Sequence, residues 1–201
     1  MTFPLAVLVS GRGTNLQAIL DACRSGALDA RVVLVASNRE GVPALDRAER
    51  AGVPHRAFTG ERLGSRADAH RAIGDAVVAA GARLVVLAGF DQILAPAFFE
   101  RIGEMPVINI HPALLPAFGG KGMVGDRVHE AVLAAKVKET GVTVHRVRAD
   151  AVDEGEIVLQ RRVPVREDDD VASLSARVLA VEHEALVDAI RTFVAAGTAA
   201  R

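Results

Sequence analysis

Short apolar runs alternate with segments of helical periodicity along most of the chain. Four runs have the length of a β-strand, at residues 5–9, 32–36, 84–88 and 107–110. Uninterrupted Val, Ile and Leu residues are typical of strands that are covered on both faces. The segment after the first run places apolar residues at i, i+3, i+4 and i+7, and the alanine-rich residues 67–80 end before Gly81, so both are predicted to be helices. This alternation predicts a parallel sheet with right-handed crossovers.

The pattern changes after about residue 140. Residues 141–147 and 157–163 each have strand character, and because the link between them is short, we expect the two strands to pair antiparallel. The last segment has an apolar stripe at helical spacing, the acidic residues 167–170 favour the start of a helix there, and Gly197 is expected to end it. The sequence therefore predicts one α/β domain over residues 1–201. Its fold would be Rossmann-like: a mostly parallel twisted sheet with helices on both faces and an antiparallel C-terminal strand pair.

Composition and charge argue against several classes of protein. Lys and Arg number 24 and Asp and Glu 25, a net charge of −1, which argues against binding to nucleic acid or membranes mainly by electrostatics. A single cysteine, Cys23, excludes a disulfide framework or a cysteine zinc cluster within one chain. No apolar run approaches the length of a membrane span, and the N-terminus lacks the basic start of a signal peptide. We therefore expect a cytoplasmic enzyme.

The loop Ser10-Gly-Arg-Gly-Thr-Asn15 joins the first predicted strand to the first helix. Backbone N–H groups at a helix N-terminus favour anions, and glycines allow a phosphate to approach closely. A dinucleotide site would need a third glycine and an acidic residue at the end of the second strand, and this chain has Ser37 and Asn38 there. The loop is thus a candidate phosphate site rather than an NAD site. The alternative is a simple turn in which Thr14 or Asn15 caps the helix.

A second candidate is the segment Val107-Ile-Asn-Ile-His-Pro112. Side chains alternate along a strand, so Asn109 and His111 share one face near its carboxyl end, where open α/β sheets bind ligands. An amide beside an imidazole is suited to stabilising an oxyanion and moving a proton. The alternative is a hydrogen-bonded structural pair at a strand end.

Two carboxylates complete the candidate chemistry. Asp153, in Asp153-Glu-Gly155, would orient a nearby imidazole and raise its pKa, although Asp-x-Gly is also a common turn sequence. Glu182 lies at the centre of the apolar stripe of the last helix, so it either has a buried partner or faces a ligand cleft. His183 lies at the edge of that stripe and is better explained as a structural residue.

Together these residues closely resemble the phosphoribosylglycinamide formyltransferase family. The resemblance extends from residue 5 to about residue 197. Four motifs carry it in order: residues 8–19 (LVSGRGTNLQAI), 87–90 (LAGF), 108–116 (INIHPALLP) and 152–157 (VDEGEI). It implies transfer of a formyl group from 10-formyltetrahydrofolate, as co-substrate, to the amine of glycinamide ribonucleotide in purine biosynthesis. No metal is implied.

The resemblance also implies site residues. Asn109, His111 and Asp153 match the family's catalytic trio, with Asp153 holding His111 and favouring its charged form. The ribonucleotide phosphate site would lie in the N-terminal half, and the folate and catalytic site in the C-terminal half. The ribonucleotide would be bound by Gly13, Thr14, Asn15 and Glu182. The folate would be bound by Arg66, Asp91, Gln92, Ile93, Leu94 and Asn109. We expect these two small molecules as the partners of a monomer or homodimer, with no nucleic acid and no membrane.

This chain departs from the family pattern at three places. Asp91-Gln92 stands where many members have Met-Arg, which affects side-chain but not backbone contacts with the folate. One additional residue falls within residues 148–151, which makes Asp150 a rival to Asp153. Residues 119–125 are rich in glycine and are expected to form a mobile loop over the site.

Four alternative functions are less consistent with the sequence. A formyltetrahydrofolate hydrolase and a methionyl-tRNA formyltransferase share the Asn-x-His-Pro core, but both resemblances imply a further domain for which 201 residues leave no room. A non-catalytic nucleotide-binding module would not require the trio. A formate-using enzyme implies an ATP-grasp architecture and a much longer chain.

Overall fold

The computed structural model describes residues 2–149 and 151–199, with side chains described as far as Gly197. Asp150, the predicted rival of Asp153, lies outside the described residues. The strands are β1 (Phe3–Val9), β2 (Ala30–Ser37), β3 (His55–Ala57), β4 (Val85–Leu87), β5 (Val107–His111), β6 (Glu139–Arg146) and β7 (Ile157–Pro164). The helices are α1 (Thr14–Ser25), α2 (Pro43–Arg50), α3 (Gly60–Leu63), α4 (Arg66–Ala79), α5 (Pro96–Ile102), α6 (Asp126–Ala134) and α7 (Val171–Ala199).

All these strands lie in one sheet of order β3-β2-β1-β4-β5-β6-β7. The first five in this order are mutually parallel, and β6 pairs antiparallel with both β5 and β7. The predicted fold class and the antiparallel C-terminal pair are confirmed. The short edge strand β3 was not predicted, because its three residues, His55-Arg-Ala57, carry no apolar run.

The apolar runs form strands because both faces of the sheet are covered. Along β1, Leu5 and Val7 pack in the core shared with α1 and α7, whereas Leu8 packs in the opposite core with α4 and α5. Leu5, Val7 and Leu8 are fully buried. Burial of a side chain of this size contributes about 1.5–3 kcal/mol, so alternate residues of one strand hold both layers in place.

The long helix α7 begins as predicted and ends later than predicted. The backbone N–H of Ser173 donates to the Asp170 carboxylate at 2.8 Å, which satisfies a free group of the first turn. Leu174, Leu186 and Ile190 are fully buried on the predicted stripe. The helix continues past Gly197 to Ala199, so the expected stop is wrong. A Cβ on Gly197 would lie 2.7 Å from Phe3 Cε2, so this glycine allows close packing on β1 rather than ending the helix.

The strand order positions the loops that follow the strands. From β1 the chain adds β2 and β3 on one side of the sheet and then returns to add β4 and β5 on the other side. Where the strand order reverses in this way, a crevice opens at the carboxyl ends of the parallel strands. The loops after β1, β4 and β5 meet there. No helix among the described residues is both long and apolar enough to cross a membrane.

Candidate active site

A cleft of about 720 Å³ opens at the carboxyl ends of β1, β4 and β5. It brings together every residue to which the sequence assigned a role. These are Gly13, Thr14, Asn15, Arg66, Asp91, Gln92, Ile93, Leu94, Asn109, His111, Asp153 and Glu182. The residues come from widely separated parts of the chain, so their meeting depends on the fold and not on a local turn.

One end of the cleft is the turn that starts α1. Gly13 precedes the helix with φ 71°, and a Cβ there would lie 2.7 Å from Ala44 Cβ, so the turn needs glycine for both its conformation and its packing. No side chain caps this helix. The alternative in which Thr14 or Asn15 serves as the cap is therefore wrong, and the N-terminus of α1 is left free to face the cleft.

Asn15 and Glu182 form a buried pair beside this turn. Asn15 Nδ2 donates to Glu182 Oε2 at 2.8 Å, whereas Asn15 Oδ1 has no hydrogen-bond partner among the described residues. Burial raises the pKa of Glu182 to about 7, and the Asn15 hydrogen bond opposes that rise only in part. The carboxylate in the apolar stripe of α7 is therefore a cleft residue with a partner, and the pair offers acceptors to a ligand.

A second group of residues lies where β5 and β6 pair. Asn109 and His111 alternate along β5, and the antiparallel register places His145 opposite Asn109 and Thr143 opposite His111. Asn109 Nδ2 lies 3.2 Å from His145 Nε2. His111 and His145 are both buried, with 4% and 2% of their surface exposed, so two imidazoles share a largely dry corner of the cleft.

The hydrogen bonds of His111 define its tautomer. Nε2 lies 2.8 Å from the carbonyl oxygen of Phe118, which only accepts, so Nε2 carries the proton. Nδ1 lies 3.8 Å from Asp153 Oδ2, beyond hydrogen-bonding distance. Burial lowers the pKa of His111, outweighing the opposing effects of the Phe118 carbonyl and Asp153. As expected, Asp153 acts to raise the pKa of His111, but burial has the larger effect, so the pKa stays below its ordinary value.

Asp153 is held in place by its backbone conformation and by two polar contacts. Its backbone has φ 57°, a left-handed conformation that Asp tolerates better than most residues. The N–H of Gly120 donates to Oδ2 at 2.9 Å, and Oδ1 lies 3.4 Å from His145 Nε2. Burial alone would raise the pKa of Asp153, but His145, the Gly120 N–H and His111 together lower it. The group is thus an ionised carboxylate between two imidazoles.

The glycine of the Asp-x-Gly motif has a packing role. A Cβ on Gly155 would lie 1.7 Å from the carbonyl oxygen of Arg146, at the end of β6. Only glycine allows the chain to return this closely to β6 and start β7. The motif therefore serves both as the turn that the sequence suggested and as the support that presents Asp153 to the cleft.

The other end of the cleft is the segment after β4. Asp91 accepts a hydrogen bond from Asn38 Nδ2 at 2.9 Å and forms an ion pair with Arg39. Gln92 Oε1 accepts from His70 Nε2 at 2.8 Å. These two side chains, at the positions where the sequence departs from the family, are therefore bound to the protein itself. Ile93 is half exposed and Leu94 is buried.

One residue of the cleft was not predicted from the sequence, whereas the glycine-rich loop was. His145 was not proposed, although it stands at a polar position of an alternating strand whose other face, at Val142 and Val144, is fully buried. Its partner could not be predicted because the register between β5 and β6 is not encoded locally. The glycine-rich residues 119–125 were predicted as a loop over the site, and residues 120–125 do line the cleft.

Comparison with known proteins identifies relatives of this architecture. The family described as formyl transferase matches residues 4–190. The phosphoribosylglycinamide formyltransferase of Haemophilus influenzae is 38% identical over 180 residues, covering 90% of this chain and 82% of that protein. The trifunctional purine biosynthetic protein adenosine-3 of Gallus gallus is 42% identical over 187 residues, but this chain spans only 18% of its length.

Solved structures give the same result. Glycinamide ribonucleotide transformylase 1 from Symbiobacterium toebii superposes with a TM-score of 0.89 at 41% identity, over 97% of this chain and 89% of that one. The phosphoribosylglycinamide formyltransferase from Coxiella burnetii, determined in complex with CHES, gives a TM-score of 0.88 at 36% identity, over 98% of this chain and 89% of that one.

Proposed function

The chain belongs to the formyl transferase family, and we propose that it transfers the formyl group of 10-formyltetrahydrofolate to the amine of glycinamide ribonucleotide. One observation carries the proposal. A single cleft joins a free helix N-terminus with a buried carboxylate at one end to an amide, two imidazoles and an ionised carboxylate at the other. Binding alone would not need the second group.

The proposed reaction is an acyl transfer. The amine nitrogen of the ribonucleotide attacks the formyl carbon, and the new C–N bond gives a tetrahedral intermediate. The intermediate then collapses: the C=O bond re-forms and the bond from that carbon to the folate nitrogen breaks. The amine loses one proton and the folate nitrogen gains one, so the products are formylglycinamide ribonucleotide and tetrahydrofolate. The intermediate carries a negative oxygen, which Asn109 would stabilise as a hydrogen-bond donor.

We assign the proton transfer to His111. Its lowered pKa leaves it largely neutral near pH 7, with Nε2–H bound to the Phe118 carbonyl and Nδ1 bare. A bare ring nitrogen is suited to accept the amine proton and to return it to the leaving nitrogen. Asp153, ionised and 3.8 Å from Nδ1, would stabilise the imidazolium while it exists.

The ribonucleotide end of the cleft has groups suited to bind both the phosphate and the ribose of the substrate. We assign the phosphate to the turn Gly13, Thr14 and Asn15, where the helix dipole and the uncapped N–H groups favour an anion. Glu182 and the unpartnered Asn15 Oδ1 would accept hydrogen bonds from the ribose hydroxyls.

The formyl donor is assigned to the other end. The backbone of residues 91–94 would read the pterin, because the Asp91 and Gln92 side chains are already bound to Asn38, Arg39 and His70. Arg66, at the start of α4, lies on the cleft wall and is the cation proposed for the acidic folate tail. The reaction so described uses no metal. A cytoplasmic location and a monomer or homodimer remain predictions.

The proposal is tested by following tetrahydrofolate formation by absorbance with the purified protein, 10-formyltetrahydrofolate and glycinamide ribonucleotide. We expect product only when both substrates are present. Tetrahydrofolate formed at the same rate without the ribonucleotide would indicate a hydrolase, and no product under any condition would contradict catalysis of this transfer.

A further inference from the structure

His70, on α4, is a fully buried polar residue to which the proposed reaction gives no role. Its ring contacts the loop after β4 at three residues. The ring packs against that of Phe90, with 6.0 Å between centroids, Nε2 lies 2.8 Å from Gln92 Oε1, and the backbone N–H of Ala95 donates to Nδ1 at 2.9 Å. One side chain therefore contacts both ends and the middle of the segment formed by residues 90–95.

These contacts define the tautomer of His70 and the orientation of the Gln92 amide. A backbone N–H only donates, so Nδ1 is bare and the proton of the neutral ring is on Nε2. The Nε2–H group requires an acceptor, and the oxygen of the Gln92 amide faces it. Burial lowers the pKa of His70, the Gln92 hydrogen bond opposes this, and the charge of Arg66 lowers the pKa further. The surroundings of the ring thus favour the neutral form that both hydrogen bonds require.

The segment 90–95 depends on side-chain partners for its shape. It joins β4 to α5 without regular secondary structure, so no ladder of backbone hydrogen bonds fixes it. At Asp91 the partners are Ser10, whose Oγ accepts from the Asp91 N–H at 3.0 Å, and Arg39. Beyond Asp91, the hydrogen bonds from outside the segment come from His70.

The helix that carries His70 is fixed by core packing. A Cβ on Gly74 would lie 2.8 Å from Arg101 Cβ, so the glycine allows α4 to approach α5 closely. Ile73 and Val77 of α4 are fully buried. His70 therefore links a firmly packed helix to an irregular segment that lines the cleft.

We propose that His70 is a positioning residue that holds the backbone of residues 91–94 in the shape that binds the formyl donor. The inference rests on the proposed function, which assigns that backbone to the pterin. A loop that is already held in its binding conformation loses less entropy when the ligand binds, so affinity is higher. His70 contacts no substrate in this account. Its effect is therefore on the binding of one substrate and not on the chemical step.

Three substitutions separate the two hydrogen bonds of His70. An asparagine amide reaches the position of Nδ1 and a glutamine amide that of Nε2, whereas leucine has a similar volume and forms neither bond. His70→Leu should raise KM for 10-formyltetrahydrofolate at least about tenfold, since each lost hydrogen bond costs about two- to tenfold. His70→Asn and His70→Gln should each give a smaller rise, with kcat and KM for the ribonucleotide little changed. A normal donor KM in His70→Leu, or equal rises for both substrates, would overturn the proposal.

Val77→Ala is the matched control. It removes buried volume farther along the same helix and should lower the free energy of unfolding, as core truncations do. It should leave KM for 10-formyltetrahydrofolate unchanged. An equal rise of this KM in Val77→Ala and His70→Leu would show that loosening of α4 is sufficient, which would overturn a specific role for His70.

A double substitution tests whether His70 and Gln92 act as a pair. Gln92→Ala and His70→Asn break the same hydrogen bond, so the double variant should have a donor KM no higher than that of the more affected single variant. Rises that multiply would show that the two residues act independently, against the proposal.

The wild-type protein gives a measurement that does not depend on any variant folding. The ¹⁵N chemical shifts of the His70 ring distinguish a bare from a protonated nitrogen, and we expect a bare Nδ1 and a protonated Nε2 at pH 7. A protonated Nδ1 would overturn the proposal, because the Ala95 N–H would then have no acceptor on the ring.

These outcomes are distinct from failure of the proposed function. If the wild-type protein forms no tetrahydrofolate with both substrates present, the function is wrong, while the state of the His70 ring is still measured. If the wild type is active and His70→Leu has a normal KM for 10-formyltetrahydrofolate, the function stands and the role of His70 is wrong.

Discussion

Two carboxylates, one at each end of the cleft, have pKa values that are shifted in opposite directions. Burial raises the pKa of Glu182 to about 7. Its one described donor, Asn15 Nδ2, offsets the effect of burial only in part. Asp153 is also desolvated, yet its pKa is lowered, because its contacts with His145, the Gly120 N–H and His111 favour the ionised form. The difference shows that partners as well as burial decide whether a carboxylate in this cleft is ionised.

The difference matches the roles proposed for the two ends. Asp153 is fully provided with donors by the protein, which suits a group that must stay charged through a catalytic cycle. Glu182 has one donor among the described residues, Asn15 Nδ2, and a ligand that brings hydroxyl groups would supply more. We therefore expect substitutions at the catalytic end to reduce kcat, and substitutions at the ribonucleotide end to change KM.

The largest expected effect is at the catalytic end. Asn109→Ala and His111→Ala should each lower kcat by about 10²–10³, the usual cost of a lost oxyanion donor or proton-transfer group. Steady-state kinetics with both substrates saturating would measure this. His55→Ala, which removes an exposed histidine on β3, is the control and should leave kcat unchanged. Near-normal turnover in Asn109→Ala would contradict the proposed contrast, since substitution at the catalytic end would then not reduce kcat.

A smaller loss is expected from Asp153→Asn. Without the carboxylate, burial lowers the pKa of His111 further, so the imidazole becomes a weaker base and kcat should fall by about 10–10². In the wild type His111 is protonated only below its lowered pKa, so kcat should decline on the acid side, and in the variant this decline should shift to lower pH. The measurement is kcat between pH 5 and 8.

Two control variants accompany it. Glu154→Gln removes the neighbouring exposed carboxylate and should have little effect. Asp150→Asn tests the register of the motif. A collapse of activity in Asp150→Asn together with a normal rate in Asp153→Asn would show that the aspartate was assigned three residues too late.

These residues show how far the sequence predicts the structure. The β1 run, the β5 motif and the start of α7 were predictable because each depends on local periodicity or a local cap. His145 and the Arg39–Asp91 ion pair were not, because each joins segments whose neighbourhood is fixed only by strand order and register. The end of α7 was wrong for a related reason. Gly197 is a general stop signal, but here it packs against Phe3, which is nearly 200 residues away in sequence.

Glu182→Gln should affect binding and stability in opposite directions. We expect KM for the ribonucleotide to rise about tenfold, the lower end for a lost hydrogen bond to a charged group, with kcat little changed. Because the folded-state pKa of Glu182 is raised to about 7 from 4.5, its contribution to stability is lost as pH rises through that range. The neutral glutamine should therefore raise the free energy of unfolding above pH 7 by about 1–3 kcal/mol.

Urea unfolding at pH 5 and pH 8 would measure the stability effect, and the difference between variant and wild type should shrink towards the acid side. An unchanged KM with only the stability altered would make Glu182 a structural carboxylate. It would then no longer contrast with Asp153 in function.

The smallest effect is expected for Arg39→Ala. Loss of its ion pair frees the Asp91 carboxylate, so the segment that we assign to the formyl donor is held less firmly. KM for 10-formyltetrahydrofolate should rise by a few-fold, and the free energy of unfolding should change by less than about 1 kcal/mol, as for other largely exposed ion pairs. Arg62→Ala, which removes the exposed ion pair with Glu40, is the matched control. Equal effects of the two variants on KM would argue against a role for the Arg39–Asp91 pair in donor binding.

We propose that the two ends of one cleft serve a single transfer, one by binding and one by chemistry. Single-turnover transfer of a ¹³C-labelled formyl group from 10-formyltetrahydrofolate, followed by the mass of the ribonucleotide product at rising ribonucleotide concentration, tests it most directly. We predict that Glu182→Gln reaches the wild-type rate at saturation, whereas Asn109→Ala stays about 10²–10³ below it at every concentration. Recovery of Asn109→Ala at high ribonucleotide, or a Glu182→Gln rate that saturates far below the wild type, would contradict this division of the cleft.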